Sequence, residues 1–148
     1  MKNGLIACVV LAVACTICSC SPSTQLYSWG KRGKTGFNTC SSYEACVYEF
    51  YKTRTPESAV RLAETYEYMI AHPGGVRKVV PPGICAEYGF FLMQNETLDA
   101  LCAEDAKKKV VSSRAGYYQR GLELLEMEIR LYPESAVLIE PILKQTQR

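Results

Sequence analysis

From residue 42 onward, apolar side chains recur at helical spacing. Tyr43, Cys46, Val47, Phe50 and Tyr51 fall at i, i+3, i+4, i+7 and i+8, the mark of one buried face. Thr55-Pro56-Glu57 then reads as a helix start, with a threonine cap, a proline where its missing N–H costs little, and an early acid. The spacing predicts a helix from Pro56 to about Ala71, with Ala59, Ala63, Tyr66 and Ile70 inward and Leu62 and Met69 beside them. His72-Pro73-Gly74-Gly75 stops it. A third helix is expected to open at Pro81-Pro82-Gly83, with Ile84, Tyr88, Phe91 and Leu92 on one face. A fourth runs from about Ser113 to Leu131 on a stripe of Tyr118, Leu122, Leu125, Ile129 and Tyr132. Tyr132-Pro133-Glu134-Ser135 breaks it and starts a fifth, to about Lys144, which Pro141 should kink or shorten. Residues 98–114 are the least regular, and Ala100 to Val111 fits an extra helix. Val79-Val80 is the one strand-like pair. The expected class is all-α, a small bundle of about five helices.

The chain before residue 42 follows another logic. Met1-Lys2-Asn3 is a short positive start, and Gly4 to Ile17 is almost wholly apolar or small. At ~1.5 Å per residue this run is too short to cross ~30 Å of hydrocarbon, and it has the form of an export signal. Ile17-Cys18-Ser19-Cys20 resembles a bacterial lipobox: an aliphatic residue at −3, a small residue at −1, then the cysteine that is lipidated. The alternatives are an ordinary secretory signal, or a register ending at Cys15 that lacks the usual Leu or Ile. The expected organisation is a signal peptide over 1–19, a lipidated Cys20 with a tether and an aromatic, Gly-rich segment over 20–41, and a helical domain over 42–148. Several acyl chains on Cys20 would hold a membrane firmly, each buried CH₂ contributing roughly 0.8 kcal/mol. Ser21 after the cysteine favours the outer membrane, and a tether without an acidic cluster favours a periplasm-facing position.

The chain has eight cysteines. The signal removes Cys8, Cys15 and Cys18, lipid takes Cys20, and Cys40, Cys46, Cys85 and Cys102 remain. In an oxidising compartment they read as up to two disulfides, with three connectivities open. Local pairing, Cys40–Cys46 and Cys85–Cys102, is preferred; the second would close a loop of about eighteen residues, worth roughly 3 kcal/mol. Six residues of helix rise about 9 Å, so Cys40 must precede the helix that holds Cys46 if they pair. A four-thiolate zinc site lacks any C-x-x-C pair, and buried free thiols are the plain alternative.

Composition adds exclusions. With 48% apolar and 22% charged residues the chain is not of the disordered type. A net charge of +2 gives no bulk reason to bind nucleic acid. The single histidine, His72, precedes Pro-Gly-Gly in a turn. No phosphate loop, metal-ligand spacing or nucleophile elbow is present, so no enzyme, cofactor, metal or catalytic residue is expected. Glu87, beside aromatics, is the best candidate for an unusual carboxylate. Lys107-Lys108-Lys109 and Lys31-Arg32-Lys34 could touch anionic headgroups or simply be solvated. Tyr27 and Trp29, on an irregular segment, either plug a groove between helices or form a partner-binding patch, and Tyr88 and Tyr118 are further partner-binding candidates. The groove between the third and fourth helices is the candidate surface.

Leu26-Tyr27-Ser28-Trp29-Gly30 with the aromatic helix ending Phe50-Tyr51-Lys52 is one characteristic block. Val80-Pro81-Pro82-Gly83-Ile84-Cys85-Ala86-Glu87-Tyr88-Gly89 with Tyr132-Pro133-Glu134-Ser135 is the other. Together they resemble a family of small bacterial lipoproteins labelled domain of unknown function 4810, over most of 26–140. The resemblance implies a place among other outer-membrane lipoproteins, including one like the curli-secretion pore, in an assembly or export system. The second block also resembles a tetratricopeptide helical hairpin. Gly89 and Gly121 would let its two helices pack closely, and Pro133 would end the second. Gly89 and Gly121 stand about twenty residues further apart than one such repeat allows, so the stretch near 95–114 reads as an insertion, stapled by Cys85–Cys102. The function expected from all this is a lipid-anchored, periplasm-facing helical scaffold or adaptor. A purely structural subunit is the alternative, and an envelope glycan-binding protein or enzyme a third.

Overall fold

The computed structural model describes residues 25–29, 42–108 and 113–146. The helices begin where the local chemistry asks for them. α1 (Tyr43–Thr53) is capped by Ser42, whose hydroxyl accepts from the Ala45 N–H. It ends at Arg54, which turns into the left-handed region at φ 51°. α2 (Pro56–Ala71) opens on a reciprocal capping box between Thr55 and Ser58, with proline at its start. α3 (Ile84–Met93) follows Gly83, which has φ 86° and no side chain with which to cap. α4 (Asn95–Lys107) follows with Gln94 alone between the two helices. α5 (Arg114–Leu131) is capped by Ser113, which accepts from the Gly116 N–H at 3.0 Å. A 3-10 turn, Pro133–Ser135, leads into α6 (Ala136–Thr146). The protein is all-α, with no strand among the described residues.

α2 sits in the middle. It packs against α1 on one side and α4 on another, and α3 and α5 form the tightest pair beside it. The core holds Phe50, Leu62, Tyr66, Met69, Ile84, Tyr88, Phe91 and Leu92, joined by Leu101 from α4 and Leu124 from α5. Much of it is aromatic. Tyr66 stacks on Tyr88 at 4.9 Å between ring centroids, and Phe50 meets Phe91 edge-on at 5.0 Å. Ion pairs tie neighbouring helices at the surface, among them Arg61 with Glu49 and Arg114 with Asp99.

Several expectations are revised. The irregular stretch holds a full helix that begins at Asn95, earlier than the Ala100 start, and buries Leu98 and Leu101. With this extra helix the described residues hold six α-helices, in keeping with a small all-α bundle. The buried face of α5 is Gly121, Leu124, Leu125 and Glu128; Tyr118, Leu122 and Ile129 are half-buried at its edge. The third helix opens at Ile84 rather than at the prolines. α6 continues through Pro141. The carbonyl that Pro141 cannot serve belongs to Val137, an exposed residue on the outer surface.

Candidate functional site

The cysteines come first, because they bear on compartment and covalent architecture. Cys46, Cys85 and Cys102 are free thiols. The Cys85–Cys102 staple is therefore not formed. Cys85 lies buried in the first turn of α3, close to Glu128 of α5, whereas Cys102 is half-buried on α4, which packs against α2. Proximity in sequence does not turn two helical side chains toward each other. Cys46 is buried and accepts a hydrogen bond from the Thr65 hydroxyl at 3.3 Å. Cys40, its expected partner, lies outside the described residues, as does Cys20. Burial first, and the Glu128 carboxylate second, push the Cys85 thiol up to about 12. Maleimide labelling of the folded protein near pH 8 is therefore expected to modify Cys102 and spare Cys85 until denaturant is added. Labelling of both at one rate would show that the burial of Cys85 is wrong.

Gly89 and Gly121 are brought face to face. A Cβ on Gly89 would lie 2.9 Å from the Gly121 carbonyl oxygen, and one on Gly121 would lie 2.9 Å from the Gly89 carbonyl oxygen. The two backbones touch, so α3 and α5 enclose no groove between them. Pro133 begins the 3-10 turn that follows α5.

The buried carboxylate that the sequence reading missed is Glu128, 1% exposed. Its Oε1 accepts from the Gly83 N–H at 2.8 Å and its Oε2 from the Ala86 N–H at 3.3 Å. It does from 45 positions away what an N-cap side chain would do locally, meeting the orphan donors and the positive end of α3. The signal was present: Gly83 supplies no cap, and Glu128 continues the Gly121, Leu124, Leu125 spacing.

Glu87, the carboxylate singled out by its neighbours, accepts a hydrogen bond from the Tyr43 hydroxyl, which joins α1 to α3. Burial, and then Glu87, hold the Tyr43 and Tyr66 hydroxyls well above the ordinary tyrosine range. The cluster works as a cross-link between helices.

Tyr27 and Trp29 sit on a segment laid against the loop after α2. The Val76 N–H donates to the Gln25 carbonyl at 3.1 Å and the Arg77 N–H to the Leu26 carbonyl at 3.0 Å. Arg77 also donates to the Tyr27 hydroxyl at 2.9 Å. A Cβ on Gly75 would stand 2.6 Å from the Leu26 oxygen, so only glycine, here at φ 75°, admits the segment. Trp29 lies 6.1 Å from the Tyr43 ring and is 39% exposed. Tyr132 is buried and donates to the Val80 carbonyl at 2.5 Å. The four partner-binding candidates lie in different settings. Tyr27 and Trp29 lie on this segment, Tyr88 is buried, and Tyr118 is half-buried on α5.

What the helices do build is an open cleft of about 580 Å³ between α2, α4 and α5. Val60, Ala63 and Leu101 give it apolar walls, and Tyr68, Tyr88 and Tyr117 add rings and hydroxyls. Glu64, Glu67 and Asp105 bring three carboxylates, with His72 and Lys108 also lining it. The Glu67 carboxylate pairs with the Arg120 guanidinium at 3.4 Å. Asp105 accepts from the Tyr117 hydroxyl at 2.5 Å. Burial, and then Glu67, raise the Tyr88 hydroxyl far above its ordinary range, so it stays protonated and able to donate. His72 stacks on Tyr68 at 4.4 Å between ring centroids. No group of three or more metal-ligating side chains occurs among the described residues. Of the expected lysine run, Lys107 pairs with Glu104 and Glu57, and Lys108 faces the cleft.

No family model, curated protein or solved structure matches the chain. The class that the fold itself defines is a small all-α bundle with a polar, tyrosine-lined cleft. None of its described helices is long and apolar enough to cross a membrane.

Proposed function

We propose that this is a lipid-anchored helical scaffold that holds a protein partner at the periplasmic face of the bacterial outer membrane. The partner would be another outer-membrane lipoprotein of an assembly or export system. The observation that supports this most is α6. Its apolar residues outnumber its polar ones, yet only Ile139 is fully buried; Val137 is 80% exposed and Leu138 76%. Adjacent exposed apolar side chains of this kind mark interaction sites. The lipobox-like Cys20 supports the anchor.

Two measurements test the reading. Cys20→Ala is expected to move the protein from the membrane to the soluble fraction of cells; unchanged fractionation removes the anchor. A photocrosslinking residue in place of Leu138 is expected to trap one discrete membrane-protein adduct in intact cells, and Val137→Asp is expected to suppress it. Absence of any adduct from that helix defeats the scaffold reading. A second reading, an envelope ligand-binding protein or enzyme, draws support from the three carboxylates converging on the cleft.

A further inference from the structure

The clasp between residues 25–29 and the loop after α2 carries a surface that the bundle does not bury. Leu26 and Val76 run side by side, because the Val76 and Arg77 N–H groups donate to the Gln25 and Leu26 carbonyls, yet the two residues are 53% and 63% exposed. Trp29 stands part-exposed on the same segment. Arg77 and Lys78 follow Val76 and are exposed as well. The Arg77 guanidinium meets the Tyr27 hydroxyl and lies 5.7 Å from the centre of its ring, a neutral partner that leaves the charge uncancelled. Residues 25–29 and 72–80 contain no Asp or Glu. Two apolar side chains, an indole and two cations thus share one stretch of surface.

The chain that leads into the patch says what covers it. Only five peptide units separate Cys20 from Gln25, so their Cα atoms stand no more than about 17 Å apart. A bilayer that holds Cys20 is within reach of this surface before any other described part of the chain. Anionic lipid attracts Lys and Arg over about 8–10 Å, the screening length in physiological salt. Tryptophan settles at the level of the headgroups, and long cationic side chains reach phosphates while their stems stay on apolar ground. We propose that Leu26, Trp29, Val76, Arg77 and Lys78 form a docking surface for a bilayer that contains anionic phospholipid. Leu26 and Val76 enter the interface, Trp29 lies among the headgroups, and Arg77 and Lys78 meet lipid phosphates. This deepens the anchored reading above and rests on it. The acyl chains on Cys20 hold the protein to the membrane, and the patch fixes which side of the bundle faces it.

Trp29 is the chain's only tryptophan, so its emission reports on the patch directly. The test reconstitutes the full chain in vesicles of phosphatidylethanolamine and phosphatidylglycerol, some doped with lipids brominated near the headgroup end of the acyl chain. Bromine quenches only at near contact, so attachment through a tether is not enough to produce the signal. A blue-shifted emission, quenching by the brominated lipid and protection from aqueous acrylamide are expected. Arg77→Glu combined with Lys78→Glu is expected to lower the ratio of docked to free protein about tenfold or more. Val76→Ser should lower it too, with the backbone bonds of the clasp left in place, and so should replacing phosphatidylglycerol with phosphatidylcholine. Lys144→Glu, in the last turn of α6, should leave it unchanged. Circular dichroism of each variant separates loss of docking from loss of fold, and Lys78→Glu alone serves should the double variant loosen the clasp. Emission with no quenching by the brominated lipid, or quenching indifferent to Arg77, Lys78 and Val76, overturns the docking surface. Protection from acrylamide that appears only when other envelope proteins are added reassigns the patch to a protein contact. Trp29 depth is read apart from attachment and from α6. Its failure therefore leaves the Cys20 fractionation and the Leu138 adduct standing, and their failure leaves the depth measurement intact.

Discussion

Gly89→Ala is expected to lower stability by about 2–3 kcal/mol, a fall of the order of 10 °C in melting temperature for a domain of this size. The new Cβ would stand 2.9 Å from the Gly121 carbonyl oxygen and 2.9 Å from Leu125 Cδ2. A leucine can turn; a helix backbone cannot retreat without moving the helix. The substitution therefore parts α3 from α5 along the tightest contact in the bundle. Alanine's better helix propensity, about 0.5–1 kcal/mol, works the other way and is already counted in the net figure. Gly116→Ala is the control. It lies in the first turn of α5, where its Cβ meets only Ser113 Oγ, at 3.3 Å, so the melting temperature should hold or rise slightly. Thermal melts followed by circular dichroism at the helix band decide the matter. Equal melting temperatures for the two variants would mean that the backbones of α3 and α5 do not touch.

Glu128→Ala is expected to cost about 3 kcal/mol. The Gly83 and Ala86 N–H groups would lose their acceptor in a place where Glu128 itself is 1% exposed, and an unpaired buried donor costs about 1–3 kcal/mol. The positive end of α3 would also lose its counter-charge. Glu128→Gln keeps the shape and one acceptor oxygen, so it should recover about half of that loss. Urea unfolding gives the energies, and amide hydrogen exchange gives the location. Protection at Gly83 and Ala86 should fall more than at Leu92, in the last turn of the same helix. Uniform loss along α3, or no difference between the alanine and glutamine variants, would show that the carboxylate does not cap the helix.

These two sites show what was legible in the sequence. Helix starts were, because Ser42, the Thr55-Pro56 pair and Ser113 act on amides within three residues of themselves. The inward faces of α2 and α3 were too, since they are marked by side chains that are apolar as well as buried. On α5 the periodicity pointed to Tyr118, Leu122 and Ile129, while the buried line includes a glycine and a glutamate. A scale of apolarity does not score a residue that is buried because it is small, or because its charge is needed across the bundle. Cys85 and Cys102 failed as a pair for a related reason: nearness in the chain set their preference, whereas α3 packs chiefly on α5 and α4 chiefly on α2. The cleft could not be read at all. Glu64 and Glu67, Asp105, and Tyr117 come from three helices, and only their packing makes them neighbours.

The clasp between residues 25–29 and the loop after α2 has a mechanical consequence. The chain reaches α1 only after it has been fastened to Val76 and Arg77 by backbone hydrogen bonds and to Arg77 again through Tyr27. Any pull on the N-terminal end meets that clasp first and is borne by the turn between the second and third helices. The opening turn of α1, with its lone serine cap, is shielded from the load.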